Sequence, residues 1–208
     1  MGRPTKVPWH GYRFGERMTY SADKHHRHST RLPSYDYRQA GAYFLTVCSH
    51  QRQCLFGHVS SGQMVLNLLG EILRAEWLAS ALVRPHIELD AFVVMPNHVH
   101  GIIILGAKTA TARATHRVAP TTDGTVAPST KPHGPARDSI GAIIGQFKSI
   151  TTKRINALRD TPGIPVWQRN YYEHIVRDDA ELDRVRQYIR DNPMKWPEDT
   201  ENPQRLQP

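Results

Sequence analysis

The chain has 208 residues, 39% of them hydrophobic, and a formal net charge of +8, with a pI near 9.7. That length supports one domain with a proper core. No apolar run approaches the roughly 20 residues that span a bilayer, and the N-terminus MGRPTKVPWHGYR lacks the apolar centre of a secretory signal. Two cysteines, Cys48 and Cys54, make neither a disulfide framework nor a zinc-finger pattern. A cytoplasmic protein is expected, and its basic balance favours a polyanionic partner, either nucleic acid or an anionic surface.

Residues 1–35 are rich in Arg, Lys, His and Gly, include DKHHRH at 23–28, and read as a flexible basic arm. GAYFLTVC at 41–48 reads as a strand, with aromatic and β-branched residues between turn formers. CLFGHV begins a second short strand, and SSGQ is a turn. A helix is expected over 63–83, because Leu66, Leu69, Leu73 and Trp77 recur at helical spacing, with Val65, Leu68 and Ile72 widening the face. IELDAFVVM at 87–95 and VHGIIIL at 99–105 read as two strands joined at Pro96-Asn97, an antiparallel hairpin.

Residues 106–137 are rich in Thr, Ala and Pro without periodicity, and read as a flexible, disordered insertion. Helical spacing returns over 138–158, where Ile140, Ile143, Ile144, Phe147, Thr151, Ile155 and Leu158 share a face and Lys148, Lys153, Arg154 and Arg159 supply a basic side. Residues 160–170 read as a loop. A last helix is expected over 179–192, started by Asp178 and Glu181 in capping-box spacing and ended by Pro193. After Trp196 the polar tail, 197–208, reads as disordered.

The chemistry concentrates in MPNHVHGIIIL at 95–105. Side chains alternate across a strand, so His98 and His100 point the same way and can grip one metal ion. A catalytic metal needs further ligands and an open position. Tyr188 and Asn192 in QYIRDNPMKW are four residues apart, on one helical face. The Asn192 amide oxygen can complete a His-His-Asn set, which puts Tyr188 beside the metal. A phenol with a pKa near ~10 is a poor nucleophile at neutral pH, and a nearby cation favours the phenolate. The plainer alternative is a half-buried helix tyrosine and an asparagine that caps the helix before Pro193. Tyr171 and Tyr172 are rival nucleophiles, but neither has an Asn four residues later on a helix.

The chain resembles the HUH single-tyrosine transposases, and within them the REP-associated tyrosine transposase branch. The resemblance rests on residues 31–57, on AFVVMPNHVHGIIIL at 91–105, on GQFKSITTKRIN at 145–156, and on VWQRNYYEHIVRDDAELDRVRQYIRDNPMKW at 166–196. It implies a catalytic domain over 36–196 with an α+β fold, a ferredoxin-like antiparallel β-sheet with helices packed on it and HxH on a central strand. It implies that His98 and His100 bind Mg²⁺ or Mn²⁺ with Asn192 as third ligand. Tyr188 would then cleave and rejoin single-stranded or hairpin DNA through a 5′-phosphotyrosine intermediate. Repetitive palindromic elements are candidate targets, and a monomer or homodimer is implied. No nucleotide cofactor is implied, in keeping with the absence of a G-x-x-x-x-G-K-[ST] run.

DNA contacts are expected from Arg27 and Arg31 in the arm, from Lys148, Lys153 and Arg154 on the penultimate helix, and from Arg169, Tyr172, His174 and Arg177 in the segment before the last helix, where Trp167 reads as packing. Two other functions fit the same residues: a metal-dependent phosphoesterase or nuclease that uses water as nucleophile, and a non-catalytic nucleic-acid-binding protein.

Overall fold

A computed structural model of the chain describes residues 36–106 and 135–205. The basic arm with Arg27 and Arg31, and nearly all of the expected insertion, lie outside the described residues.

The elements run β1 (Gly41–Cys48), β2 (Gly57–Ser60), β3 (Gln63–Leu66), α1 (Leu68–Leu82), β4 (Ile87–Val94), β5 (His98–Leu105), α2 (Ile140–Arg159), β6 (Tyr172–Val176) and α3 (Asp179–Asp191). Four strands form one sheet in the order β4-β5-β1-β6, with every neighbouring pair antiparallel. This is the expected α+β, ferredoxin-like arrangement, with HxH on the central strand β5.

Register decides which side chains share a face. Tyr43, Leu45 and Val47 of β1 stand opposite Ile103, Gly101 and Val99 of β5. These positions meet Leu73 and Trp77 of α1 and Ile140, Ile143, Ile144, Phe147 and Ile155 of α2 in one buried cluster. Gly101 makes room for the Trp77 indole, since a Cβ there would lie 2.2 Å from its Cζ2. The alternate positions Phe44, Thr46 and Cys48 of β1 and His98 and His100 of β5 therefore face the other way. That face is covered by α3, which packs on β4, β5 and β6.

Three expectations are corrected. The helix expected from residue 63 begins at Leu68, and 63–66 form β3, paired with β2. Ser61 and Gly62, at φ of 50° and 72°, close that hairpin as a pair of positive-φ turn residues do. Asn67 then starts the helix, its Oδ1 accepting from Leu69 N and Gly70 N at 2.9 and 3.0 Å. Leu68, counted on the buried face, is 72% exposed. Second, residues 172–176, given no secondary structure in the segment before the last helix, are an edge strand on β1. Third, the tail, read as disordered, has defined structure among the described residues. It forms a 3₁₀ turn over Trp196–Glu198 and is held by Asn97 Nδ2, which donates to Glu201 O at 2.7 Å, and by Arg52, whose Nε lies 2.9 Å from Glu201 Oε2.

The other expected devices hold. Asp178 caps α3 by accepting from Glu181 N at 2.7 Å. The Glu181 carboxylate accepts from Arg177 N at 2.8 Å instead of reaching the cap residue's own N–H. Trp167 is packed, its Nε1 donating to Thr151 Oγ1 at 2.9 Å. Among the described residues no helix is long and apolar enough to cross a membrane.

Candidate active site

His98 and His100 are fully or almost fully buried, and their Nε2 atoms lie 3.0 Å apart. Each ring is oriented from behind. Asn97 Oδ1 lies 2.8 Å from His98 Nδ1, and Thr46 Oγ1 lies 2.8 Å from His100 Nδ1. A carboxamide oxygen only accepts, so His98 carries its proton on Nδ1 and presents a lone pair at Nε2. Thr46 can donate to Nδ1 or accept from it, so it supports His100 in either tautomer. Were the two histidines to hold a cation through Nε2, the His100 proton would sit on Nδ1 and Thr46 would accept it. Burial pulls both imidazoles down to about 3. Arg52 reinforces the shift at His98 against the opposing Asn192 amide, and His98 reinforces it at His100 against the charge of Asp199. Both rings are therefore neutral at physiological pH, the state in which imidazole binds metal.

Two oxygens converge on this pair. The Asp199 carboxylate approaches His98 Nε2 at 3.8 Å, and one nitrogen from each histidine and one Asp199 oxygen lie within 4.8 Å of one another. Asn192, buried at the C-terminus of α3, has an Oδ1 without a hydrogen-bond partner among the described residues, and so has Asp199 Oδ2. Buried acceptors are rarely left unpaired. Two neutral imidazoles with two orphaned oxygens make a donor set that fits a divalent cation. Asp199 is thus a fourth candidate ligand beside the expected His98, His100 and Asn192. It lies in a polar tail with no local motif, and nothing in the sequence singled it out.

Tyr188 is the tyrosine that the fold brings to this pair. Its hydroxyl lies 3.4 Å from His100 Nε2, and its ring packs on His100 at 5.2 Å and meets Phe44 edge-on at 5.9 Å. Burial and then the Asp199 charge raise its pKa above the ordinary phenol value, with Asn192 opposing. Tyr171 packs against the core, with Lys148 Nζ 5.5 Å from its ring centroid. Tyr172 meets Phe44 at 6.2 Å and lines, with Phe44, His100 and Tyr188, a cavity of about 350 Å³ beside the histidines. Cys48 lines it too. Burial, then Glu201, pushes its thiol up to about 12, so it stays protonated.

The expected DNA-contacting residues divide. Arg169 and Tyr172 are exposed at or near the cavity, and Arg177 is exposed before α3. His174 is committed to Glu181, with Nε2 2.8 Å from Oε1. Lys148 Nζ donates to Gln168 O and Asn170 O at 2.9 and 2.8 Å, so it holds the loop that borders the cavity. Lys153 and Arg154 lie on α2, across the sheet from the histidines, and Arg154 pairs with Glu76 of α1.

The fold has a counterpart among solved structures. It matches a REP-associated tyrosine transposase bound to a REP hairpin with a TM-score of 0.50 at 22% identity, over 81% of this chain and 74% of that one. The resemblance to the HUH single-tyrosine transposases thus holds at the level of the fold. A transposase candidate from Deinococcus radiodurans R1 aligns with a TM-score of 0.36 at 15% identity, over 78% of this chain and 97% of that one. No family model matches the sequence. The chain belongs to one family with an uncharacterized protein of Haemophilus influenzae, to which it is 38% identical over 187 residues, 86% of this chain and 95% of that protein.

Proposed function

We propose that this protein is a single-tyrosine DNA transposase that nicks and rejoins single-stranded or hairpin DNA. The observation that carries the reading is the 3.4 Å approach of the Tyr188 hydroxyl to His100 Nε2, on a pair of buried, neutral imidazoles. The REP hairpin bound by the structural neighbour suggests the substrate class, and the net charge of +8 suits a polyanion.

In this reading Tyr188 Oη attacks the scissile phosphorus. The P–O3′ bond breaks, a 5′-phosphotyrosine forms, the phenol loses its proton and the departing 3′-oxygen gains one. Attack by another 3′-hydroxyl on the phosphotyrosine reverses the step and rejoins strands. The phosphodiester energy is kept in the covalent link, so no nucleotide is needed. His98, His100, Asp199 and Asn192 would hold a divalent cation, Mg²⁺ or Mn²⁺, whose charge polarises the phosphate and favours the phenolate. Phe44 and the helix α3 orient the Tyr188 ring, which is the protein's share of the positioning term.

The test is one gel. Wild-type protein mixed with hairpin DNA and Mn²⁺ should give a covalent protein–DNA adduct, and Tyr188→Phe should give none. Cleavage without adduct, unaffected by Tyr188→Phe, would instead indicate a hydrolase with water as nucleophile. Binding without any processing would indicate a DNA-binding protein.

A further inference from the structure

We propose that the cavity beside the histidines is a pocket for one unpaired nucleobase next to the scissile phosphate, with Tyr172 as its stacking wall and the side-chain amides of Gln168 and Asn170 as its reading edge. This rests on the transposase reading and adds to it what the site holds and which residues choose it.

The cavity is walled by aromatic rings of unequal purpose. Phe44, on β1, forms its floor. Its face is stacked with His100 at an interplanar angle of 28°, which links the floor to the histidine pair. Tyr188 comes down from α3 and meets that floor at 90°. Tyr172 rises from β6 and meets it at 68°. Two tyrosines that stand up from a shared floor leave ring faces for a planar guest. Both remain exposed, Tyr172 at 45% and Tyr188 at 44%, and both line the cavity. An edge strand can leave a tyrosine in water cheaply only by facing it outward, yet β6 pairs Tyr172 with Thr46, on the histidine face of the sheet. Its exposed ring therefore stands on the face that carries the cavity.

The rest of the lining is polar: Thr46 is committed to His100, and Cys48 and Arg52 are committed to Glu201. Gln168 and Asn170 give their carbonyls to Lys148, which fixes the loop, and both residues line the cavity. A carboxamide offers one acceptor and two donors and pairs with a base edge. The volume of about 350 Å³ is at the small end of ligand clefts, roughly 300–1,000 Å³, which suits one nucleotide and not a duplex. Tyr188 lines the same cavity, so a base held there brings its own phosphate to the phenol.

The experiment uses the full chain with Mn²⁺ and a DNA hairpin with single-stranded flanks, each flank nucleotide replaced in turn by an abasic site or by 2-aminopurine. Binding is measured on Tyr188→Phe, and adduct formation on wild type. One flank position should stand out. Its abasic form should bind about tenfold or more weakly, and 2-aminopurine there should be quenched on binding. Adding Tyr172→Ala should remove both effects, and Tyr172→Phe should retain them. Gln168→Ala and Asn170→Ala should flatten the base preference at that position without weakening the abasic form. A scan with no position sensitive beyond about twofold, or quenching that survives Tyr172→Ala, would overturn the pocket while a wild-type adduct upholds the transposase reading. A sensitive position without any adduct would overturn the transposase reading and uphold the pocket.

Discussion

Arg186 of α3 grips Asp90 of β4: Nε lies 3.0 Å from Oδ1, and Nη2 lies 2.5 Å from Oδ2. Asp90 sits where the β4–β5 ladder slips, between Leu89 opposite Ile103 and Phe92 opposite Gly101. A bulge of this kind turns a side chain out of the ladder, here toward α3. The clamp fixes the helix two residues before Tyr188, so it sets where the phenol meets His100.

Breaking that clamp should therefore cost activity more than it costs the fold. Asp90→Asn is expected to lower the rate of adduct formation by about tenfold or more through misplacement of Tyr188, with metal binding at the histidine pair retained. The Arg186 guanidinium holds the Asp90 carboxyl below its ordinary range. Its stabilising effect is present at neutral pH and is lost as pH falls through that depressed value. Acid titration of the melting temperature should show this limb in wild type and a weaker one in Asp90→Asn.

The histidine pair has its own acid limb. Both rings are held neutral, down to about 3, whereas an unfolded histidine takes a proton near ~6.5. Between those values the unfolded chain binds more protons than the folded one, so stability falls as pH drops from about 6.5 toward 3. Urea midpoints of metal-free protein at pH 7 and pH 5 should differ in this direction. The difference should shrink when His98→Gln and His100→Gln are combined.

Metal affinity should report the supporting residues as well as the ligands. Thr46→Val removes the hydroxyl 2.8 Å from His100 Nδ1 and should weaken Mn²⁺ binding by about 10–100-fold, the usual effect of losing such support. Asp199→Ala and Asn192→Ala test the two orphaned oxygens separately by calorimetric titration with Mn²⁺. The larger loss identifies the oxygen that completes the site. In each case bound Mn²⁺ should raise the melting temperature less than it does in wild type.

Gly101, between the site and the core, should tolerate no side chain. Gly101→Ala places a Cβ 2.2 Å from Trp77 Cζ2, and overpacking of this kind costs about 1–3 kcal/mol. Chemical denaturation should show that loss. Adduct yield at low temperature should fall only as far as the folded fraction does.

The local sequence of this chain determined most of its elements and half of its site. Apolar β-type runs define β1, β4 and β5 over nearly the observed spans, and the helical stripes bury Trp77 and Ile155, although Leu158, expected on the second stripe, is 54% exposed. HxH on a strand places two imidazoles on one face by backbone geometry alone, and the i, i+4 pair Tyr188 and Asn192 shares a helical face for the same reason. Periodicity could not separate β3 from α1, because Val65, Leu66 and Leu68 fit either repeat, and it could not find β6, whose five residues are a strand only because β1 lies beside them. The tail shows the limit most clearly. Nothing in PEDTE distinguishes Asp199 from a solvated carboxylate, and it becomes a candidate ligand only because Arg52 and Asn97, about a hundred residues or more away in the chain, hold Glu201 and draw the segment over the histidines. Side-chain direction is local physics and was legible. Which helix, strand and tail meet is decided by long-range packing and ion pairs, and only the tertiary structure contains them.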